Sequence, residues 1–364
     1  MPRRVLHVCV NPVGGLSKYL RDIGVDTVNV KHYFLFNPDL ANEQFKDFVL
    51  LSANNGSRFF DFHIKKSITL SDITMFFRVY FFLKSFDLDI IHGHGAKGGV
   101  FARILSLFLK KKCIYTPHGG VLHDVYPLVQ GFCFVLIERF LFYFTDVFVF
   151  ESYFSKNKYF SKIKPVPKGR FHVILNGTDQ FFLKTNHSFH HPFKIMAVGA
   201  LRDLKGFDIL IDSTYEFRRK HPDFPLTVDI YGSGDAEHAL LKKINDFSLS
   251  EVIFLRGESS DILTRMVESD LLIHPARHES FGYVLIEAVS AGLPFITSHQ
   301  GGCIDVMNVL GFGASFKVGS SKDLTNKIEK FVACPYQITN ALPETLTLTH
   351  MKTRTEQIYL SLSL

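Results

Sequence analysis

Residues 270–298 restrict the fold of this chain more than any other stretch. An apolar run with the length of a buried strand leads into a polar loop and a glycine, and residues 284–291 then place apolar side chains at helical spacing. Gly292 can end that helix in the left-handed conformation, Pro294 prevents its continuation, and a second apolar run follows. The pattern predicts a strand–helix–strand unit, which requires a parallel sheet covered by helices.

The candidate ligand-binding groups of this unit lie at the start of the predicted helix. Phe281-Gly282-Tyr283 would present free backbone N–H groups at the positive end of the helix dipole, which is an anion site. Glu279 in the loop and Glu287 on the helix flank it, and carboxylates there suit sugar hydroxyls better than phosphate. Together these groups favour a nucleotide-sugar ligand. From the spacing alone, Glu287 could instead be an exposed helix carboxylate and Glu279 a partner of the helix dipole or cap, and this alternative stays open.

Strand and helix patterns alternate along the whole chain, which predicts the α/β class. A length of 364 residues favours two domains. The boundary is expected in the polar, histidine-rich stretch 180–193, which gives domains at residues 1–182 and 183–342, followed by residues 343–364.

Three segments of the first half have less regular patterns. The apolar residues 48–52 are predicted as a strand, and the lysine-rich residues 154–170 as a surface connection. Residues 71–86 have helical length and are apolar nearly all round. They are either a buried helix or a helix whose basic, aromatic face lies on a membrane.

The charge is divided unequally along the chain. The net charge is +6, but residues 1–180 contain 23 Lys and Arg against 14 Asp and Glu, whereas residues 181–364 contain 18 against 21. A basic half is typical of a solvated surface or of contact with an anionic membrane or acceptor, and both stay open. Nucleic acid is not expected, because no RNA- or DNA-binding motif is present.

The cysteines and the apolar runs indicate where in the cell the protein is expected. Five widely spaced Cys, with no metal-binding spacing, indicate reduced thiols and a cytoplasmic protein. The most apolar region, residues 128–150, is interrupted by Glu138, Arg139 and Asp146, so no transmembrane helix is predicted. A peripheral position on the inner face of the cell membrane would suit the basic residues Lys65, Lys66, Arg78, Lys84, Lys110, Lys111 and Lys112.

Lys205 lies where a strand gives way to a helix, in the segment from residue 199 to 206. A cation at a helix start is electrostatically unfavourable, which suggests that it neutralises a diphosphate leaving group. Arg202 could bind the same group. The alternative is a pair of solvated loop cations.

Several histidines follow predicted strands. His118 comes directly after a strand, at the sheet edge where ligands bind, and could contact a sugar hydroxyl. His92 and His94 flank a glycine in a similar position and are interpreted mainly as structural. The cluster of His187, His190 and His191 is interpreted as a solvated linker, so no metal site is predicted.

These residues together resemble the family 4 glycosyltransferases, which are retaining enzymes of the GT-B fold with nucleotide-sugar donors. The most specific pieces are Lys205-Gly206, residues 173–179, and residues 269–288 with the following Ala-Gly-Leu-Pro. One departure is visible. The family usually has Arg directly after the glycine that matches Gly199, and here that residue is Ala200.

The resemblance implies a fold and a set of roles. The fold would be two Rossmann-like domains facing across a cleft, with a last helix returning to the N-terminal domain. Catalytic roles would fall to His118, which would contact the sugar, to Lys205 on the diphosphate, and to Glu279 near the donor sugar. Donor binding would involve Gly15, Arg202, Gly257, Glu258, Phe281, Gly282, Tyr283 and Glu287. The family needs neither a metal nor a cofactor.

The sequence therefore predicts a glycosyltransferase that moves a sugar from a UDP- or GDP-sugar to a hydroxyl of a lipid-linked or surface polysaccharide. Two alternatives stay open. One is a UDP-sugar epimerase of the same fold, and the other is a non-catalytic protein that binds nucleotide-sugar or glycan.

Overall fold

The computed structural model describes residues 1–53, 58–65, 67, 69–119, 128–163, 169–179, 189–338 and 341–363. The chain forms two compact units: Met1–Asn176 together with Leu348–Leu364, and Gly177–Thr347. The expected boundary after residue 182, and the predicted roles of Lys66 and His187, concern positions outside the described residues.

The N-terminal unit is built on a seven-stranded sheet in which every recorded strand pair is parallel. The strand order is β3-β2-β1-β4-β5-β6-β7. Consecutive strands therefore run outward from β1 to one edge, and the chain then crosses back to β4. The strands are β1 (Arg3–Val8), β2 (Val30–Phe36), β3 (Arg58–Asp61), β4 (Ile90–His94), β5 (Lys112–Thr116), β6 (Val147–Phe150) and β7 (Phe171–Val173).

Helices cover both faces of this sheet. Because crossovers between parallel strands are right-handed, the strand order places α1 and α2 on one face and α3 to α6 on the other. None of the helices in the described part of the chain is long and apolar enough to cross a membrane. The helices are α1 (Gly14–Ile23), α2 (Glu43–Ala53), α3 (Ser71–Leu83), α4 (Gly95–Leu109), α5 (Leu128–Leu141) and α6 (Tyr153–Lys162).

The C-terminal unit repeats this plan on six parallel strands in the order β10-β9-β8-β11-β12-β13. Its strands are β8 (Phe193–Val198), β9 (Leu226–Tyr231), β10 (Ile253–Gly257), β11 (Leu271–His274), β12 (Phe295–Ser298) and β13 (Ala314–Phe316). Its helices are α7 (Phe207–Lys220), α8 (Glu237–Asp246), α9 (Ile262–Val267), α10 (Tyr283–Ser290), α11 (Gly301–Leu310) and α12 (Ser321–Ala333). A final helix, α13 (Leu348–Ser361), groups with the N-terminal unit.

The predicted strand–helix–strand unit forms as β11, α10 and β12. Both strands are fully buried, and they pair directly in parallel. Gly292 adopts a left-handed conformation, with φ of 73°, where α10 has ended. The central pattern of the sequence therefore specifies the middle of the second sheet.

Two predictions about the first half are wrong. Residues 48–52 lie in α2 and not in a strand: Phe48 packs against Phe45 and Phe59, whereas Leu50 and Leu51 are exposed. The segment 154–170 contains α6, which Ser152 caps by accepting the backbone N–H of Ser155 at 2.9 Å. The lysines are compatible with a helix because Lys156, Lys158 and Lys162 are only half-buried, while Tyr159 and Phe160 are buried.

A buried ion pair joins α4 to α5. Arg103 is fully buried and donates two hydrogen bonds of 2.8 Å to the Glu138 carboxylate. Tyr115 and Tyr159 donate to the same carboxylate, and the Arg103 guanidinium lies 4.0 Å from the Tyr115 ring centroid. The charge on each partner is therefore fully compensated inside the core.

Removal of one partner is expected to cost more than removal of both. Arg103→Leu leaves the Glu138 carboxylate buried without its counter-ion, which should lower the free energy of unfolding by about 3–5 kcal/mol. Arg103→Leu/Glu138→Leu should recover a large part of that loss. Urea denaturation of the two variants checks this, and a double variant less stable than the single one would show that the pair is not compensated as described.

Candidate active site

The candidate site of the C-terminal unit lies where the strand order reverses. β8 and β11 are neighbours, although two strands and three helices separate them in the chain, and β9 and β12 lie on their outer sides. Ligands of open α/β sheets bind outside the carboxyl ends of strands at such a point. The loop after β8 carries Lys205, and the loop after β11 carries Glu279.

The structure brings Lys205 and Glu279 into direct contact. The Lys205 Nζ lies 2.6 Å from Glu279 Oε2, and His274 Nε2 lies 3.2 Å from the same oxygen. Burial alone would raise the pKa of Glu279, but the Lys205 ammonium and the His274 hydrogen bond hold it well below its ordinary value. Burial lowers the pKa of His274, against the opposing effect of Glu279. Glu279 is therefore an ionised carboxylate and a weak base.

Two glycines allow the loops around this ion pair to approach each other. Gly206 has φ of 67°, and a Cβ there would lie 2.2 Å from the Pro275 carbonyl oxygen. Gly302, at the start of α11, would place a Cβ 2.2 Å from the Ser280 carbonyl oxygen, and its N–H donates to the Glu279 carbonyl at 3.0 Å. The loops that carry Lys205 and Glu279 can therefore pack this closely only because positions 206 and 302 are glycines.

The residues predicted to bind sugar and phosphate lie at the N-terminus of α10. Phe281 is buried, Gly282 has a left-handed conformation with φ of 96°, and Tyr283 begins the helix. Glu287 is half-buried one turn further on. The geometry is that of a helix N-terminus facing a loop, which is suited to an anion.

Gly257 and Glu258 lie at the end of β10, beside the turn that follows β9. The Gly232 N–H donates to the Gly257 carbonyl at 2.8 Å, and the Ser233 hydroxyl donates to the Glu258 carboxylate at 2.5 Å. Glu258 is exposed, and a Cβ on Gly257 would meet open space. A Cβ on Gly232 would lie 2.0 Å from the Gly199 carbonyl oxygen, so this turn packs directly against the end of β8.

Arg202 is exposed in the loop before Lys205. A short 3₁₀ turn, Asp203–Lys205, precedes α7, so the helix begins at Phe207 and not at Lys205 as the pattern predicted.

Two further residues belong to the site but were not singled out from the sequence. His274 is the last residue of β11 and reads as part of an apolar strand. Arg277 makes a two-pronged ion pair with Asp208 at 2.7 and 2.6 Å, and it donates to the Asp203 carbonyl at 2.7 Å. That contact ties the loop after β11 to the one that carries Lys205. The sequence signal that could have identified Arg277 is its position, two residues before Glu279 in the same loop.

In the N-terminal unit, the predicted residues follow β1 and β5. Gly15 is exposed in the first turn of α1, directly after β1. His118 follows β5 with φ of 49°, its ring lies 4.8 Å from the Tyr19 ring, and burial lowers its pKa to about 3. β1 and β4 are the strands between which the order of this sheet reverses. Both residues therefore lie at the carboxyl edge next to that point.

Histidines suited to metal binding occur in both units. His190 of the predicted histidine-rich linker binds Asp270 at 2.8 Å, which is a structural contact. Within the described ranges, the group with ligand spacing is His7, His92 and His94, all buried in the N-terminal unit.

The architecture and both candidate edges define the GT-B type of protein. The Anabaena protein HepE, solved with UDP and glucose, matches with a TM-score of 0.80 at 17% identity, over 99% of this chain and 100% of that one. The family model for group 1 glycosyl transferases matches residues 179–345, and the model for glycosyltransferase family 4 matches residues 13–180. The chain belongs to the family 4 glycosyltransferases.

Curated relatives of the chain include two from Escherichia coli. The O-antigen biosynthesis glycosyltransferase WclY is 26% identical over 225 residues, which covers 58% of this chain and 61% of that protein. The O-antigen biosynthesis glycosyltransferase WbnH is 27% identical over 237 residues, covering 65% and 66%. The chain thus spans just under two thirds of the length of these relatives.

Gly206 and Gly311 provide a matched pair for testing the close approach of the loops. Both have left-handed backbones, with φ of 67° and 74°, but a Cβ on Gly311 would meet nothing within 4 Å. Gly311→Ala should cost roughly 1–2 kcal/mol of unfolding free energy from the backbone alone. Gly206→Ala should cost more than about 3 kcal/mol, because the Pro275 carbonyl must also move. Equal losses in urea denaturation would show that the loops tolerate separation.

Proposed function

We propose that the protein is a retaining glycosyltransferase that moves a sugar from a nucleotide-sugar, UDP- or GDP-linked, to a hydroxyl of a lipid-linked or surface polysaccharide. The observation that carries this proposal is the Lys205–Glu279 ion pair at the reversal point of the second sheet, beside the N-terminus of α10. A cation, a carboxylate and the positive end of a helix dipole in one place suit a sugar diphosphate.

In this proposal, Lys205 exchanges its contact with Glu279 for the diphosphate. Glu279 then accepts hydrogen bonds from the transferred sugar, and Glu287 from the ribose. Backbone N–H groups of residues 281–283 bind sugar and phosphate oxygens, while Gly257 and Glu258 lie near the base. Lys205, with Arg202, stabilises the leaving diphosphate, which needs no metal and no cofactor.

The proposed roles of His118 and Gly15 are a sugar contact and close approach of the phosphates, as the family resemblance implies. A neutral His118 suits a hydroxyl partner, because one ring nitrogen accepts and the other donates.

We infer that retention needs no protein nucleophile here. In the ligand-free site, Lys205 and the His274 hydrogen bond hold the pKa of Glu279 well below its usual value, and after Lys205 has moved to the diphosphate the His274 hydrogen bond still favours the ionised carboxylate. The leaving phosphate is then the group that takes the acceptor proton, while the acceptor attacks from the same face of the sugar. Glu279 contributes by holding the sugar and by its negative charge near the reacting carbon.

The relatives favour particular partners. HepE was solved with UDP-glucose, so UDP is the first nucleotide to test. WclY and WbnH are named for O-antigen biosynthesis, so the proposed acceptor is a growing lipid-linked glycan. A UDP-sugar epimerase of the same fold would convert the donor without an acceptor, and a binding protein would do neither.

We also propose that the face of the N-terminal unit formed by α3, α4 and α5 rests on an anionic membrane. Its exposed apolar side chains include Ile73, Phe77, Phe81, Leu107, Phe108, Val129, Phe132, Leu136 and Phe140. The basic residues Arg78, Lys84, Lys110 and Arg139 are exposed on the same helices or at their ends. The two acidic residues of these helices are already ion-paired, Asp72 with Lys97 and Glu138 with Arg103. The surface therefore combines apolar contact with positive charge.

Transfer activity should depend on the ion pair. Lys205→Met and Glu279→Gln should each lower kcat/KM about 100-fold or more, since each removes charge stabilisation at the reacting group. Lys220→Met, which breaks an exposed ion pair with Glu329, is the matched control and should keep full activity. The assay measures sugar transfer from radiolabelled nucleotide-sugar to membrane-extracted acceptor. Unchanged rates in both site variants would rule out the proposed mechanism.

A thermal-shift panel identifies the donor. A ligand at 100 times its Kd should stabilise the native state by about 2.7 kcal/mol, so the correct nucleotide-sugar raises the melting temperature while the other donors do not. The loss of that shift in Lys205→Met locates the ligand. Conversion of the donor to its epimer without acceptor would favour the epimerase instead.

Membrane contact predicts salt-sensitive binding to vesicles that contain anionic lipid. Phe81→Ser/Phe140→Ser should weaken that binding, because both rings are exposed on the proposed face. Leu50→Ser/Leu51→Ser removes two equally exposed leucines from α2, on the other face of the sheet, and should not weaken it. Vesicle co-sedimentation makes the comparison. Equal binding to neutral vesicles, or equal losses in the two pairs, would contradict the assignment of this face.

A further inference from the structure

The interior of the N-terminal unit contains an unusual concentration of histidine. His7, His32, His92 and His94 are at most 3% exposed. His7 pairs with His92 across β1 and β4, and His32 pairs with Val5, two residues before His7. Because side chains alternate along a strand, all four therefore lie on one face of the sheet.

Three of these histidines form a continuous hydrogen-bonded chain that ends at His118. His32 Nδ1 lies 2.9 Å from His7 Nε2. His7 Nδ1 lies 2.9 Å from His94 Nε2, and His94 Nδ1 lies 3.2 Å from His118 Nε2. Both ring nitrogens of His7 and of His94 are thus used within the chain. His118 contributes only Nε2 to the chain.

Each ring in the chain is neutral. Burial lowers the pKa of His7 and His94 well below the ordinary value, that of His32 to about 4, and that of His118 to about 3. A neutral imidazole has one N–H and one lone pair. An unbroken chain of such rings allows two arrangements only: every N–H points towards His118, or every N–H points towards His32.

We propose that His94, His7 and His32 are positioning residues that hold His118 in a single tautomer. If the N–H groups point towards His118, its proton lies on Nδ1, and if they point away, its proton lies on Nε2. The chain therefore determines whether His118 offers a donor or an acceptor through Nδ1. The link to catalysis rests on the proposed function, in which His118 contacts the transferred sugar, but the tautomer itself does not.

A metal ion bound by His7, His92 and His94 is the competing explanation of the cluster, since one nitrogen from each lies within 4.8 Å of the others. The observed contacts favour hydrogen bonds instead. His92 Nδ1 lies 2.9 Å from the Tyr359 hydroxyl and its Nε2 lies 2.8 Å from Thr116 Oγ1. Coordination would break one of these contacts and also contacts of the chain.

His92 provides the matched control. It is as buried as His7, belongs to the same cluster, and has both nitrogens hydrogen-bonded, but it lies outside the chain to His118. His7→Phe interrupts the chain while keeping a ring that stacks on Phe34, whose centroid is 5.0 Å away. His32→Phe removes the far end, two rings before the ring that contacts His118.

The test is long-range ¹H–¹⁵N NMR of ligand-free protein with ¹⁵N-labelled histidine, with His118 assigned from the spectrum of His118→Phe. The wild type and His92→Phe should show one tautomer at His118. His7→Phe and His32→Phe should show an altered or mixed tautomer. An unchanged tautomer in His7→Phe and His32→Phe, or a mixture in the wild type, overturns the proposal, and so does about one equivalent of tightly bound metal that is lost in His94→Phe.

Kinetics then separate this proposal from the proposed function. If transfer occurs, His7→Phe should lower kcat more than His92→Phe when both are compared at equal thermal stability. Equal kcat in the two variants would overturn the positioning role. If no transfer is found with any donor, the proposed function fails, and the NMR result still decides whether the chain sets the tautomer.

Discussion

The ion pair between Lys205 and Glu279 is the interaction on which the rest of the site depends. It joins the loops after β8 and β11 at the point where the second sheet reverses its order. An ammonium and a carboxylate that are 23% and 16% exposed compensate each other, so neither charge is buried alone. Because residues 206 and 302 are glycines, the surrounding loops can approach closely enough for that contact. In the proposed function, this pair supplies the cation that binds the diphosphate.

In the N-terminal unit, buried polar side chains also pair with one another, but these side chains are neutral. Its reversal point lies between β1 and β4, and the side chains there are histidines hydrogen-bonded to one another. Neutral rings satisfy each other in the interior at no cost in charge burial, and the last of them, His118, lies at the sheet edge. One unit thus carries charges that suit the proposed diphosphate, while the other carries a neutral donor or acceptor, held by the histidine chain, that suits the proposed hydroxyl.

Patterns within one element were readable from the sequence, whereas contacts between elements were not. The alternation of β11, α10 and β12 follows from apolar period and helix stops, and it led to the fold class, whereas the family was reached through the resemblance of particular residues such as Lys205-Gly206. The contact of Lys205 with Glu279 joins residues 74 positions apart, and no spacing rule encodes it. His274 and His7 were missed because a histidine inside an apolar strand has no local signature. Residues 48–52 were misread because an apolar run of that length suits either a strand or part of a helix.

The most direct measurement of the central claim is calorimetric titration of UDP into the wild type, Lys205→Met and Glu279→Gln at constant ionic strength. If Lys205 exchanges Glu279 for the diphosphate, Lys205→Met should weaken UDP binding about tenfold or more, which corresponds to about 1.4 kcal/mol. Glu279→Gln should bind UDP at least as tightly as the wild type, because the competing carboxylate charge is gone. Equal dissociation constants in all three proteins would contradict the account.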